Sequence, residues 1–153
     1  MLVGIYAPVE EISIVEQTDI VRARAEARRV AGLIGFGLAD QTRLATAISE
    51  LTRNVLQYAG RGHCEISDIS DEQNSAIKVV ITDYGPGIPD IGRAMQDGYS
   101  TSGGLGAGLP GTQRLVDGFE IESRPGHARD GDDAQAAHLR RWTSILHRIC
   151  TCA

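Results

Sequence analysis

Glu50 and Asn54 stand four residues apart in a stretch of helical periodicity, so both project from one side of that helix. A carboxylate there can take a proton, and an amide oxygen suits a hard cation such as Mg²⁺. An ordinary polar flank is the competing reading of the pair alone. Further on, Asp83-Tyr-Gly-Pro-Gly-Ile-Pro89 starts at the end of a β-prone run. An acceptor-only carboxylate suits the exocyclic amino group of adenine, and Gly85 and Gly87 would let the backbone lie close to a flat ring. An Asp-initiated turn is the alternative there. The third segment, Gly103-Gly-Leu-Gly-Ala-Gly108, precedes a helical pattern. Exposed amides and the helix dipole at such a start favour an anion such as a triphosphate. A dinucleotide-binding fold fails on context, because Ser100-Thr-Ser102 lies where that fold needs a buried strand.

The elements that must position these groups follow from periodicity. Glu11–Glu16 alternates as an edge strand, and Thr18 is placed to cap a helix running to about Ile34, stopped by Gly35 and Gly37. A second helix spans about Asp40–Ala59, with Leu44, Ala47, Ile48, Leu51, Val55 and Tyr58 as its core stripe. Two β-prone runs, His63–Ile69 and Ala76–Thr82, read as an antiparallel hairpin. A glycine-rich region holds one short helical pattern near Asp90–Gln96; a helix then runs from Ala107 to about Asp117, and Phe119–Glu122 alternates as a strand. This order predicts an α+β fold: a two-layer sandwich of helices on a mixed, mainly antiparallel sheet.

Composition narrows the chemistry. Among the 15 basic residues only Lys78 is a lysine, and it lies within a strand pattern, so phosphate sites built on a loop lysine are excluded. The formal charge of -5 argues against nucleic acid or an anionic membrane as partner. With no apolar run approaching the roughly 20 residues of a membrane span, and Cys64, Cys150 and Cys152 odd in number, a cytoplasmic location is expected.

In order and spacing, the three segments resemble the superfamily of gyrase, heat-shock chaperone ATPases, histidine kinases and MutL, which binds ATP in a Bergerat-type site. Within it, Ala47-Ile-Ser-Glu-Leu-Thr-Arg-Asn54, Asp83-Tyr-Gly-Pro-Gly-Ile-Pro-Asp90 and Asp97 through Gly111 are similar to RsbT-type switch kinases of the bacterial stressosome, over about Glu11–Gly126. The resemblance implies ATP and Mg²⁺ as cofactors, Asn54 as the Mg²⁺ ligand, Glu50 as catalytic base and Asp83 on adenine. Gly85, Gly87, Gly104, Gly106 and Gly108 would shape the nucleotide loops. It further implies transfer of the γ-phosphate to a serine or threonine of STAS-domain proteins (RsbS- or RsbR-like), then docking to a PP2C-type phosphatase (RsbU-like). Arg93 and Arg114 are candidates to steady the transferring group.

Past Gly126 the pattern changes. Related domains continue with a strand opening on a Gly-Thr pair, whereas this chain reads Gly126-His-Ala-Arg-Asp-Gly-Asp-Asp133. The expected domain is therefore 1–126, with 127–153 an atypical tail offering at most a short helix over Ala134–Ile149. The abrupt change suggests a shifted reading frame, which resequencing of the coding DNA would test. A missing strand would leave its neighbour with an unpaired edge. Two other functions stay open: an ATP-gated binding module with weak or lost transfer, and an anti-sigma factor kinase of the RsbW or SpoIIAB kind. A histidine kinase fits less well, for want of a dimerising phosphoacceptor helix pair ahead of residue 11.

Overall fold

In the computed structural model, residues 10–85, 87, 90–96, 108–122 and 139–147 are described. Among these described residues nine elements follow in chain order: β1 (Glu10–Ile14), α1 (Gln17–Leu33), α2 (Leu38–Tyr58), β2 (Gly62–Asp68), β3 (Ser75–Asp83), α3 (Ile91–Ala94), α4 (Gly108–Leu115), β4 (Gly118–Glu122) and β5 (Leu139–His147). The strands form one sheet in the order β1-β2-β3-β5-β4, and its four pairings are all antiparallel.

Alternation along the strands decides which face is covered. Ile12, Cys64 and Ile81 stand opposite one another across β1, β2 and β3, with Ile66 opposite Val79, and all are buried. Against this face lie Ala23, Ala27 and Ala31 of α1 and Leu44, Ile48, Leu51 and Val55 of α2. The alanines let α1 sit close, while the larger side chains of α2 fill the space between helix and sheet. Burial also sets the state of Cys64: desolvation in the core, with a smaller contribution from Glu65, pushes its thiol up to about 12.

Helix ends follow local chemistry. Glu16, not Thr18, is the N-cap residue of α1. The Asp19 carboxylate accepts the Val15 and Glu16 amides at 2.9 and 3.0 Å, and Thr18 Oγ1 donates to Glu16 Oε1 at 2.6 Å. Those backbone bonds, with help from Arg22, hold Asp19 below its ordinary carboxylate range. Gly35 ends α1 at φ 95° while Phe36 N–H reaches back to the Ala31 carbonyl at 2.9 Å, and Gly60 ends α2 at φ 80°.

Two further expectations are corrected. Tyr58, assigned to the core stripe, is exposed: it is the last residue of α2 and lies beyond the buried face that ends at Val55. The stretch read as at most a helix over Ala134–Ile149 contains β5, so the feared unpaired neighbour does not arise; β3 pairs with β5 from Ser75 to Asp83. In register, Arg141 stands opposite Ile81 and Thr143 opposite Val79, so polar residue types occupy positions level with the apolar row. That is why period-two apolar reading failed there.

Candidate functional site

The C-terminal half of α2 organises the site. Thr52 and Val55 are wholly buried on its inner side, which sets the rotation of the helix, and Thr52 Oγ1 is satisfied by donating to the Ile48 carbonyl at 2.7 Å. Glu50 and Asn54, half-buried, stand on that same helix beside the buried set. Glu50 is not alone: Arg53 Nη1 lies 2.6 Å from its Oε1, with the carboxylate side chain only 12% exposed and the guanidinium 43%.

Two close approaches join α2 to the end of β3. At Gly62 an added Cβ would fall 2.2 Å from the Thr82 carbonyl oxygen and 2.8 Å from Val55 Cγ1, so β2 can start there only as glycine. At Gly85 it would fall 2.7 Å from the Ala59 Cβ. Between these contacts Asp83 closes β3, 5% exposed, with its Oδ1 accepting the Gly85 amide at 3.1 Å. A buried carboxylate oriented by its own turn is suited to recognising an amino group on a flat ring. Gly87 continues the turn at φ 82°.

Tyr84 lies between these residues and is tied to the start of β2. Its hydroxyl is hydrogen-bonded to His63 Nδ1 at 3.2 Å, and the Arg61 guanidinium sits 5.7 Å from its ring centre. His63 Nε2 faces Glu65 Oε2 at 3.8 Å. Sequence reasoning passed over this cluster, as it did Arg53 and Ala59. The 50/53 spacing could have flagged the ion pair, whereas the seat at Ala59 has no local signal.

The third segment reaches the site through α4, which packs on α2. Gly108 opens α4 at φ 62° and is buried; Thr112 Oγ1 donates back to its carbonyl at 3.1 Å. Gly104 and Gly106 lie outside the described residues. Arg93 and Arg114 are exposed on α3 and α4. Thus α2 is met both by the Asp83 turn, at Ala59, and by α4.

Residues 39–138 match the family described as histidine kinase-, DNA gyrase B-, and HSP90-like ATPase. The chain is also 50% identical over 125 residues to the serine/threonine-protein kinase RsbT of Bacillus subtilis (strain 168), covering 82% of this chain and 92% of that protein. The chain belongs to the RsbT-type branch of this ATPase family. A likeness to the solved mycobacterial sensor histidine kinase MprB covers 93% of this chain and 100% of that one, at 17% identity and a TM-score of 0.45. The segment matched to the ATPase family begins in the first turn of α2 and spans all the candidate residues from Glu50 to Gly108.

The donors present are of a kind that would suit Mg²⁺ arriving with a nucleotide. Among the described residues no group of three or more His, Cys, Asp or Glu could cage a metal. A single amide oxygen such as that of Asn54, shared with phosphates and water, is the kind of protein ligand Mg²⁺ commonly accepts. Also among the described residues, no helix is long and apolar enough to cross a membrane.

Proposed function

We propose that this protein works as a partner switch in bacterial stress signalling, from the cytoplasm: it phosphorylates a serine or threonine of a STAS-domain scaffold and then docks to a PP2C-type phosphatase. As an RsbT-type member of its family it is a serine/threonine-protein kinase and uses ATP. The observation that carries the reading is the junction at Ala59, where the turn holding Asp83 and Gly85 rests on the helix that carries Glu50 and Asn54.

In this reading Asp83 accepts the adenine amino group, while Gly85 and Gly87 bring backbone close to the ring. Asn54 would supply the protein oxygen to Mg²⁺, and the glycine segment of Gly104, Gly106 and Gly108 would bind the triphosphate through backbone amides. The bound ion supplies neutralisation of the charge that develops on the transferred group. Glu50 takes the proton of the acceptor hydroxyl as its oxygen attacks the γ-phosphorus. Positioning and electrostatics account for most of the acceleration in such transfers, so a small domain suffices.

The test is transfer of labelled γ-phosphate from Mg-ATP to a STAS-domain protein, with Asn54→Ala and Glu50→Ala alongside and nucleotide binding measured separately. Transfer by wild type that is lost in both variants supports the assignment. ATP binding without transfer would leave an ATP-gated docking module in its place.

A further inference from the structure

The restraint on Glu50 is the least expected feature of the site. Its Oε1 is held by Arg53 Nη1 at 2.6 Å, three residues along a helix whose inner face, through Leu51, Thr52 and Val55, is fully buried. The guanidinium hydrogen thereby occupies a lone pair of Oε1 that would otherwise be open to the proton of a nucleophile. The two sides of the pair differ in access. Glu50 is nearly covered and has little freedom to swing into water, whereas 43% of the Arg53 side chain is open to solvent and to a docking protein.

We infer that Arg53 is a positioning residue that withholds Glu50 from water and yields it to a docked protein acceptor, so that the enzyme transfers phosphate instead of hydrolysing ATP. The inference rests on the proposed role of Glu50 as base. With no acceptor present, a water molecule beside the γ-phosphate meets a carboxylate already committed to Arg53. An acidic group on the docked acceptor competes for the exposed guanidinium and frees Glu50. The acceptor hydroxyl oxygen then bonds to the γ-phosphorus while the bond to the β,γ-bridging oxygen breaks. That bond's electron pair leaves with ADP, and the hydroxyl proton passes to Glu50 and then to solvent. Hydrolysis is the same step with water as nucleophile and inorganic phosphate as product.

The experiment compares wild type, Arg53→Met and Arg53→Lys in the full chain, measuring acceptor-free ATP hydrolysis as kcat and KM, with ATP affinity by direct titration. Arg53→Met should raise the hydrolytic kcat about threefold or more, the range expected when one partly screened bond to a charged group is removed. KM and ATP affinity should stay within about twofold, because the effect is on a group used only in the chemical step. Arg53→Lys, which keeps the charge, should restore low hydrolysis. Unchanged or lower kcat in Arg53→Met overturns the inference, and Arg53→Gln replaces it if the methionine variant does not fold. Glu50→Gln separates the two readings. If it leaves transfer intact, Glu50 is not the base and both readings fall; if it abolishes transfer while Arg53→Met gains no hydrolysis, only the role of Arg53 falls.

Discussion

Gly85 and Ala59 lie so close that a Cβ built on the glycine would stand 2.7 Å from the alanine Cβ and 3.0 Å from its Cα. The turn that follows β3 is thereby seated on the end of α2, and the geometry of one element is transmitted to the other. Replacing Gly85 by alanine should force the two apart, at the roughly 1–3 kcal/mol typical of overpacking. Thermal unfolding should show a lower midpoint, and ATP titration a weaker affinity. Adding Ala59→Gly should recover part of both, since it removes the nearer of the two contacts.

Asp83→Asn tests recognition apart from folding. The asparagine carbonyl can still accept the Gly85 amide now held at 3.1 Å by Asp83, so the unfolding midpoint should change little. The amide puts a donor where the proposed adenine contact needs an acceptor. ATP affinity should fall by about 10- to 100-fold, the cost of losing one hydrogen bond to a charged group. An affinity equal to wild type would remove Asp83 from the adenine site.

Acid sensitivity should be traceable to Asp19. Amides of Val15 and Glu16, with Arg22, lower its folded value below the ordinary 3.8. A depressed carboxylate contributes stability that is complete above the unfolded value and is lost as pH falls through the folded one. The stability difference between wild type and Asp19→Ala should therefore be largest near neutrality and shrink progressively below about pH 4. Urea unfolding of both proteins at pH 7 and pH 3 gives the comparison, and a constant difference would contradict it.

Cys64 should be silent to thiol reagents while the protein is folded. It is fully buried, with its thiol pushed up to about 12, so almost no thiolate exists at pH 8. In a Cys150→Ser, Cys152→Ser background, labelling of Cys64 should follow the rate of global opening and accelerate with denaturant. Fast labelling of the native protein would place the residue in a looser core.

Thr143→Pro tests the paired tail. Position 143 stands between Val79 and Phe119 in the ladder, where proline removes a backbone donor from an interior strand. A marked fall in the unfolding midpoint is expected, whereas an unchanged midpoint would show that this segment does not carry the sheet.

Periodicity made most of the architecture legible, because α1, α2, the β2–β3 hairpin and β4 each bury a regular face. The strand β5 was hidden for the opposite reason: Arg141 and Thr143 sit level with Ile81 and Val79, so its apolar residues do not alternate. At the site, the Glu50 and Asn54 spacing and the strand-end position of Asp83 were readable because they are local. The support was not. Ala59 matters only once β3 has been brought against α2, and Arg53 belongs to a class of helix ion pairs too common for spacing to single out.

The sheet order carries a consequence for how the chain is made. The strand β5 is later in the chain than β4, yet it lies between β3 and β4, and it is the only neighbour of β4 among the described strands. The strand β4, with Phe119 and Ile121, therefore cannot take its place in the sheet until the residues through His147 have been made. The strand β5 thus acts as a keystone: without it β3 and β4 would each be left with an unpaired edge facing an open seam.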